Sequence, residues 1–494
     1  MRFLLNQNFS SVDLGEINPN MTVLEWLRSN QLVGSKEGCA SGDCGACTAV
    51  VGELVVNNKT TEIKYKSINT CIALAYSLIG KHLVTVEGLA EGDRLHPVQN
   101  AMVLENGSQC GFCTPGFVMS LFALYHNENK TNLAKINEAL SGNLCRCTGY
   151  KPIISAAFLA INKKNKEPLD FYKKNQKQLK EALVKLSDPK NISVSFAKGE
   201  KIINYDAPSN LEELSKVLSN NSSAKIVAAG TDLNLEITQS MKEFPHLVSV
   251  NRVPELKSIS DNGADLEIGA AVSYEDAASI LIGYWPDLDS FLQRFASLPI
   301  KNWATIGGNI ANASPIGDMP PVLIALDAKL KLRKGSKVRI INLEEFFISY
   351  KKTSLDESEF IESIIVPKPN DNERLITHKI SKRYEDDISA VCMALKVTTK
   401  GSHPESVKIA LGGMSGIPQR AIELEKVMLE NWNNDEIVLA SYNALKSEFS
   451  PFSDVRASSE YRLRVTANLV KKSLLILKGL PLENLAHYSV ASKL

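Results

Sequence analysis

The sequence lacks long hydrophobic runs and any marked excess of charge of one sign. No stretch reaches the roughly 18 apolar residues of a membrane helix, and residues 1–10, MRFLLNQNFS, contain no apolar core of signal-peptide length. The net charge is only +1, so no strong field is present to recruit nucleic acid or an acidic substrate. We therefore expect a cytoplasmic protein with no membrane or nucleic-acid partner.

Two nucleotide-binding motifs are also missing. Neither the G-x-G-x-x-G fingerprint nor a Walker phosphate loop occurs, so a Rossmann-type nicotinamide domain is not supported. No catalytic triad is evident, and the scattered histidines are interpreted as structural or surface groups. They are His82, His96, His126, His246, His378, His403 and His487. The length of 494 residues, with 44% hydrophobic and 22% charged residues, indicates about three or four ordinary globular domains.

Cysteine is scarce except in one region. Eight of the nine cysteines lie between Cys39 and Cys147, and Cys392 alone lies in the rest of the chain. Such clustering without a signal peptide favours metal ligation over disulfides. Cys392, in an apolar run, is interpreted as a small buried hydrophobic residue.

The stretch GCASGDCGACT contains the first cysteine set. Its spacing is C-x4-C-x2-C, and a fourth cysteine follows after a longer gap, which is the plant-type [2Fe–2S] ligand pattern. The predicted ligands are Cys39, Cys44, Cys47 and Cys71. Gly38, Gly42 and Gly45 would let the loop wrap tightly around a cluster. The alternative is a group of buried or disulfide-paired cysteines in a glycine-rich loop.

A second set follows in SQCGFCTPG and GNLCRCTGYKP. Its members are Cys110, Cys113, Cys145 and Cys147. Both pairs are predicted at the starts of helices, with Thr114 as N-cap and Pro115 at the first helical position. Helix N-termini would present N–H donors to an anionic cluster. Spacing alone leaves a four-cysteine zinc site open, since zinc also accepts four thiolates.

The lysine-rich segment 163–190 is predicted to be a solvated, partly helical linker and not a basic docking strip. Beyond it the pattern becomes α/β. KIVAAGTD predicts a buried strand and a tight turn, with a helix at LNLEIT, and TIGGNIANASPIGDMPP predicts a Gly-Gly turn that could contact a pyrophosphate. Taken alone, either turn could simply be a turn.

Together these motifs resemble the molybdenum hydroxylases, the family of xanthine dehydrogenase and aldehyde oxidase. The cysteine loop is similar to the family's ferredoxin-like domain, and QCGFCTPG and NLCRCTGYKP match its second [2Fe–2S] domain, which favours a cluster over zinc. KIVAAGTD and TIGGNIANASPIGD resemble the two FAD-contacting segments. ISAVCMALKV, IALGGMSGIPQRA and YRLRVTANLVKKSLLIL resemble the domain that follows the flavin domain.

The resemblance implies an α+β multidomain fold. The expected parts are a β-grasp ferredoxin-like domain at 1–82, a helical-bundle [2Fe–2S] domain at 83–162, the linker at 163–190, an α/β FAD-binding domain at 191–375 and an α+β C-terminal flavoprotein domain at 376–494.

The resemblance also implies the residues that bind FAD. They are Lys225, Ile226, Val227, Ala228, Ala229, Gly230, Thr231, Asp232, Phe295, Thr305, Ile306, Gly307, Gly308, Asn309, Asp318, Ile361 and Lys379. Phe295 would stack near the isoalloxazine, although without the resemblance it would pass for an ordinary core residue. Ala229 replaces a glycine found in many such flavin domains, which affects only the local loop. Gln109 matches a residue that touches the pterin, and no substrate-transforming residue is expected in this chain.

The function implied is that of the iron–sulfur/FAD electron-transfer subunit of a two-subunit bacterial xanthine dehydrogenase. Single-chain members continue into a molybdopterin domain, so a separate large subunit is expected, in a heterodimer or a dimer of heterodimers. That subunit would oxidise hypoxanthine and xanthine to urate. Electrons would pass from the Cys110 set to the Cys39 set, then to FAD and NAD.

Three alternatives remain open. The chain could serve an aldehyde or N-heterocycle hydroxylase, because substrate specificity resides in the other subunit. It could be a stand-alone NADH-oxidising reductase, or a binding or assembly module with structural clusters. A thiol-controlled switch to an oxidase is not expected, because Cys392 is the one thiol outside the two sets.

Overall fold

The computed structural model describes residues 1–57, 60–164, 170–187, 190–401, 403–434 and 436–479. The chain forms two compact units. The first unit consists of Met1–Pro254, Ser273–Glu275 and Ser297–Thr305, and the second of Glu255–Val272, Asp276–Ala296 and Ile306–Leu494. No helix in the described part of the chain is both long enough and apolar enough to cross a membrane.

The first unit begins with a five-stranded mixed sheet. Its elements are β1 (Arg2–Leu5), β2 (Val12–Asp13), α1 (Val23–Ser29), β3 (Thr48–Asn57), β4 (Thr60–Asn69) and β5 (His82–Val84). The strand order is β2-β1-β5-β3-β4, with β1 and β5 parallel. Thr22 and Glu25 form a capping box at the start of α1, and Trp26 packs edge-on against Phe3. This is the β-grasp arrangement that we expected.

A helical region follows. It contains α2 (Pro97–Leu104), α3 (Thr114–Asn127), α4 (Leu133–Leu140) and α5 (Lys151–Lys163). Helix α3 is buried over most of its length, so the other helices pack around it. The prediction of Thr114 as N-cap is wrong. Cys113 occupies that position, while Thr114 is already helical and its hydroxyl contacts Ser108 Oγ at 2.7 Å. Pro115 is therefore the second helical residue and not the predicted first, although it still lies in the first turn.

The described part of the lysine-rich segment is helical, and one face of it packs against the core, which corrects the prediction of a solvated linker. It forms α6 (Phe171–Lys174) and α7 (Gln176–Leu186), although residues 165–169 and 188–189 lie outside the described part. Tyr172, Leu179 and Leu183 are fully buried in the core around α3. The lysines concealed an amphipathic pattern, because Leu179 and Leu183 lie one helical turn apart on one face.

Replacing Leu179 with alanine tests this correction. We expect the free energy of unfolding to fall by about 2–4 kcal/mol, because the side chain is fully buried and its removal leaves a cavity. Denaturant titration of the full chain measures the change. Val184→Ala on the exposed face of the same helix is the control and should change stability by less than about 0.5 kcal/mol. Equal effects of the two changes would support the solvated linker.

The first unit also contains a second sheet and short helices. These elements are β6 (Ile192–Lys198), β7 (Lys201–Ala207), α8 (Leu211–Asn220), β8 (Lys225–Val227), α9 (Leu233–Thr238) and β9 (His246–Ser249), and α12 (Leu298–Lys301) follows later in the chain. The order β6-β7-β9-β8 places β8 at an edge, where it pairs only with β9. Because of this position Ile226 is 39% exposed, so the prediction of a buried strand is wrong for its first two residues.

The second unit begins with a five-stranded antiparallel sheet of order β10-β11-β16-β12-β13. Its strands are β10 (Ile259–Asp261), β11 (Asp265–Gly269), β12 (Lys329–Lys334), β13 (Lys337–Asn342) and β16 (Phe360–Pro367). Around it in sequence lie α10 (Tyr274–Tyr284), α11 (Leu288–Arg294), α13 (Ile306–Ala311), α14 (Met319–Ala325), β14 (Phe347–Ser349) and β15 (Lys352–Thr353). The predicted FAD-binding domain, 191–375, therefore has residues in both units.

The last part is a four-stranded antiparallel meander with three helices. It contains β17 (Glu373–Ile380), β18 (Val391–Lys400), β19 (His403–Gly412), β20 (Gln419–Arg420), α15 (Ile422–Glu430), α16 (Ile437–Glu448) and α17 (Ser459–Leu477). Apolar residues of β18 and β19 pack with those of the helices in one core. This agrees with the expected α+β domain, of which residues 480–494 lie outside the described part.

Candidate cluster and flavin sites

The first cysteine set converges in the loop between α1 and β3 and in the turn after β4. Cys47 and Cys71 are buried, Cys39 and Cys44 are half-buried, and all four are free thiols. The backbone N–H groups of Ser41 and Cys44 each donate to Cys39 Sγ at 3.4 Å. Converging thiols with N–H donors aimed at sulfur fit an anionic iron–sulfur cluster.

These thiols lie close enough to hydrogen-bond to one another, and the contacts shift their pKa values in opposite directions. Hydrogen bonding from the Cys44 thiol, followed by that from Cys71, lowers the pKa of Cys39. The same contact with Cys39 raises the pKa of Cys44, and contacts with Cys39 and then Cys47 raise that of Cys71. Four neighbouring thiols cannot all ionise unless a cationic centre neutralises their negative charges, because like charges at this distance repel. Iron would do this, because a bound metal ion requires thiolate ligands.

Two of the three glycines in this loop have the backbone conformation that a tight loop was expected to need. Gly42 and Gly45 have φ values of +84° and +68°, in the left-handed region, while Gly38 does not. A Cβ atom on Gly38 would nevertheless lie 2.9 Å from Cys44 Sγ, so the backbone approaches the sulfur closely there.

The second cysteine set lies at one end of the helical region. Cys110 and Cys113 precede α3, and Cys145 and Cys147 lie in the loop between α4 and α5. The thiol of Cys113 contacts that of Cys145, and Cys147 contacts Cys110. As predicted, a helix begins directly after the first pair. The second pair lies further from its helix, since α5 starts only at Lys151.

The environment of Cys145 favours a thiolate. Burial raises its pKa, but hydrogen bonds from the Thr148 hydroxyl and N–H and from the Cys147 N–H outweigh burial and lower the pKa to about 7. Cys113 behaves in the opposite way, because burial and then the contact with Cys145 raise its pKa to about 12. Cys110 and Cys147 are exposed, so this set reaches the surface of the first unit.

A short backbone connection joins the two sets. The N–H of Leu144 donates to the carbonyl of Cys44 at 3.0 Å, and Leu144 is bonded directly to Cys145. Asn143 secures this junction, because its Nδ2 donates to Gly45 O at 3.1 Å and its Oδ1 accepts from Ser120 Oγ at 2.6 Å. This role of Asn143 was not predicted from the sequence. The one available signal was its position between Gly142 and the second cysteine set.

The predicted flavin segment 225–232 lies in the first unit. It runs from β8 through a turn into α9, and Asp232 directly precedes that helix. Ala229 is buried and is not among the described residues with positive φ, so this turn does not require the glycine that many flavin domains have there. Asn234 Oδ1, just beyond the segment, is buried and has no hydrogen-bond partner within the part of the chain that the structure describes.

The second predicted flavin segment starts at Thr305 in the first unit and continues in the second. The prediction of a Gly-Gly turn is wrong, because Gly307 and Gly308 lie in the helix α13. A Cβ atom on Gly307 would lie 2.5 Å from that of Ala270, so glycine serves here for close packing. Asn309 Oδ1 has no hydrogen-bond partner among the described residues, although it is buried.

The other predicted flavin residues of the second unit are Phe295, Ile361, Asp318 and Lys379, and all four are buried. Lys379 Nζ donates to Asp318 Oδ2 at 2.5 Å, to Asp387 O at 2.8 Å and to Ser389 Oγ at 2.9 Å. These bonds use all three of its protons. Asp318 Oδ1 is buried without a partner among the described residues. An acceptor that is left open in this way fits a ligand with N–H or O–H donors.

Two histidines that appeared scattered in the sequence come together in the first unit. His126 Nε2 lies 3.5 Å from Asp170 Oδ1, and His96 Nε2 lies 3.9 Å from Asp170 Oδ2. Burial, followed by nearby lysine charge, lowers the pKa of His96 to about 3, so the ring is neutral. His96 Nδ1 accepts the N–H of Val98, which places its proton on Nε2 and leaves no lone pair there for a metal. We interpret this group as structural.

Comparison with known proteins identifies the domains. Four family models match: "2Fe-2S iron-sulfur cluster binding domain" at 15–76, "[2Fe-2S] binding domain" at 85–158, "FAD binding domain in molybdopterin dehydrogenase" at 200–369 and "CO dehydrogenase flavoprotein C-terminal domain" at 376–477. The protein is thus an electron-transfer module that binds two [2Fe–2S] clusters and FAD. This confirms the predicted cofactors and removes the zinc and disulfide alternatives.

The chain belongs to the molybdenum hydroxylase family, as its iron–sulfur/FAD part. It is 32% identical to the xanthine dehydrogenase of Emericella nidulans, over 91% of this chain and 36% of the relative. It is 31% identical to the xanthine dehydrogenase/oxidase of Rattus norvegicus, over 85% of this chain and 35% of the relative. The chain therefore spans about a third of the length of these curated relatives.

Solved structures match a little more than half of the chain. A carbon monoxide dehydrogenase chain from Hydrogenophaga pseudoflava matches with a TM-score of 0.52 and 27% identity, over 54% of this chain and 94% of that one. A quinoline 2-oxidoreductase chain from Pseudomonas putida 86 matches with a TM-score of 0.51 and 23% identity, over 56% of this chain and 96% of that one. The second likeness shows the fold alone. The predicted family and fold class are confirmed, and the domain boundaries and site residues stay predictions.

Proposed function

We propose that this chain is the electron-transfer subunit of a purine-oxidising molybdenum hydroxylase and passes electrons from a molybdopterin partner to NAD. The junction between Cys44 and Leu144 carries the proposal, since one hydrogen bond and one peptide bond connect the ligands of the two cysteine sets. Bound clusters carry single electrons, and bound flavin converts between single electrons and the electron pair that NAD accepts.

The two cysteine sets lie at different depths, which supports the proposed order of electron transfer. The second set exposes Cys110 and Cys147 and would receive electrons from outside the chain. The first set buries Cys47 and Cys71 and lies beyond the junction. Electrons that enter at the second set would therefore pass through the region of Asn143 to the first set.

The predicted flavin residues would bind FAD through backbone groups and through side-chain acceptors. Segment 225–232 of the first unit would supply backbone groups. In the second unit, Asn309 Oδ1 and Asp318 Oδ1 would supply acceptors, because neither has a hydrogen-bond partner among the described residues. Because Lys379 has used its three protons within the protein, it would act on FAD by holding Asp318 and not by direct donation.

An apolar rim around the second cysteine set would receive the molybdopterin partner. Phe112 and Leu144 are 49% and 44% exposed, Tyr150 is 37% exposed, and Gln109 is exposed beside Cys110. Large apolar side chains grouped around an electron-entry site are typical of a protein interface. Gln109 would then contact the pterin across this interface, as the family resemblance implies.

The names of the curated relatives favour xanthine as substrate and a dehydrogenase activity. The likeness to a carbon monoxide dehydrogenase chain keeps a second candidate open, a subunit of a hydroxylase for another small substrate such as an aldehyde or N-heterocycle. A stand-alone NADH-oxidising reductase would use the same cofactors without a partner. The cytoplasm stays the predicted location.

Purification of the chain with its partner from the native cells tests the proposal. We expect a larger molybdenum-containing chain, about four irons and one FAD per copy, and reduction of NAD that depends on xanthine. Phe112→Glu should reduce recovery of the partner at least tenfold, because it places a charge in the apolar rim. Val184→Glu, at an exposed apolar residue of α7, is the matched control and should leave recovery unchanged.

Two other outcomes of this purification would each contradict a different part of the proposed function. A molybdenum partner that oxidises an aldehyde or N-heterocycle but not xanthine would replace the purine assignment with the second candidate. NADH-dependent turnover with a small acceptor and no molybdenum partner would support the stand-alone reductase.

A further inference from the structure

Helix α9 connects the flavin segment with the ligand loops of the plant-type cysteine set. It begins directly after residue 232 and lies wholly in the first unit. Asn234 Nδ2 donates to Ile72 O at 2.7 Å, next to the ligand Cys71. Thr238 Oγ1 donates to Ala40 O at 2.8 Å, next to the ligand Cys39. One short helix thus holds both of the segments that supply the four thiols.

Gln239 reinforces the contact at the end of this helix. Its Nε2 donates to Ala40 O at 2.9 Å and to Cys39 O at 3.2 Å. Ala40 has φ = +54°, in the left-handed region that an alanine adopts only when its surroundings impose it. Thr238 and Gln239, at the end of α9, both donate hydrogen bonds to the carbonyl oxygen of Ala40. These bonds stabilise a strained backbone conformation.

The peptide unit that they hold also reaches the sulfur. The carbonyl of Ala40 and the N–H of Ser41 belong to the same planar peptide, and this N–H donates to Cys39 Sγ at 3.4 Å. Thr238 and Gln239 therefore orient the peptide from its oxygen side while its N–H points at a cluster ligand. Hydrogen bonds in such a chain polarise one another, so donors to the oxygen strengthen the N–H donor at the other end.

We propose that Thr238 and Gln239 are positioning residues that raise the reduction potential of the plant-type cluster through the peptide of residues 40 and 41. Hydrogen bonds to ligand sulfurs stabilise the more negative, reduced state of an iron–sulfur cluster and so raise its potential. The proposal rests on cluster binding by the Cys39 set, and it does not depend on the substrate or the partner proposed above.

The same helix packs over the ligands. Leu235 of α9 lies against the small apolar cluster of Leu24, Cys47, Cys71 and Ile72. The apolar shell around a metal site controls solvent access and the potential. Side chains of α9 thus act on the cluster environment through both hydrogen bonding and packing, although the proposal concerns the hydrogen bonds.

Redox titration of the full chain with both clusters bound, followed by EPR, tests the proposal. In Thr238→Val and Gln239→Leu we expect the ratio of reduced to oxidised plant-type cluster at a fixed potential to fall by up to about tenfold. This corresponds to a shift of about 59 mV to lower potential for a one-electron couple. The titration of the second cluster should not move, and Thr238→Ser should restore the original value because it keeps the hydroxyl.

Gln7→Leu is the matched control. Gln7 Nε2 also donates to two backbone carbonyls of the first unit, Gly88 O and Ala90 O, and neither residue belongs to a cysteine set. It should leave both potentials unchanged. An unchanged potential of the plant-type cluster in both α9 variants, or an equal shift in Gln7→Leu or in the second cluster, would overturn the proposal. A lower melting temperature with unchanged potentials would assign the two residues a purely structural role.

Discussion

We expect Cys145→Ser to remove the cluster of the second cysteine set and to leave the plant-type cluster in place. Cys145 is buried and is held toward the thiolate by hydrogen bonds from Thr148 and the Cys147 N–H, whereas a serine hydroxyl does not ionise at neutral pH and is a poor iron ligand. The iron content should fall from about four to about two per chain, because each cluster contains two irons. Iron analysis and EPR of the reduced protein measure this loss.

Retention of the plant-type cluster follows from the junction. The bonds from Leu144 to Cys44 and from Asn143 to Gly45 do not involve the Cys145 side chain, so the first loop keeps its supports. Cys392→Ser is the control, because Cys392 is a buried thiol outside both sets and should leave both clusters in place. Loss of both signals in a variant that remains folded would show that the two cysteine sets are not separate sites.

We expect Gly116→Ala to push helix α3 and the loop of the plant-type cysteine set apart. A Cβ atom at Gly116 would lie 2.1 Å from the carbonyl oxygen of Gly45, a backbone atom that cannot rotate away. One of the two segments must shift, and overpacking of this kind costs about 1–3 kcal/mol or more. We expect a loss of about 3 kcal/mol in the free energy of unfolding. Electron transfer between the clusters should slow as well, because the same shift would lengthen the hydrogen bond from Asn143 Nδ2 to the carbonyl oxygen of Gly45.

Gly283→Ala is the matched control for this change. Gly283 lies in α10, its added Cβ would meet no atom within 4 Å, and its φ is not in the left-handed region. The control should be neutral or stabilising by up to about 1 kcal/mol, because alanine is the better helix former. Denaturant titration compares stabilities, and stopped-flow reduction of the two clusters compares rates. If both alanines have the same small effect, the close approach of α3 and the loop has no energetic importance.

The local sequence was sufficient to predict the elements that depend on neighbours in the chain. The spacing of Cys39, Cys44 and Cys47 identified the cluster loop, and the pattern of SQCGFCTPG placed the first pair of the second set directly before a helix. Local patterns failed at α7, where many lysines hid the buried Leu179 and Leu183, and at Gly307, where a short helix replaced the expected turn. In both cases a contact with residues distant in sequence decided the structure.

The sequence by itself predicted the plant-type cluster site and its four cysteines, because ligand type and spacing within a loop are local properties. The second cluster and FAD were predicted only with the help of the family resemblance. The tertiary structure decided how the two cysteine sets are joined and what surrounds them. Asn143, Gly116 and the residues of α9 act on groups far away in the chain, and no local pattern marks such partners. Folding brings Leu144 to Cys44 and Gln239 to Ala40, and these hydrogen bonds exist only once the separate segments have packed together.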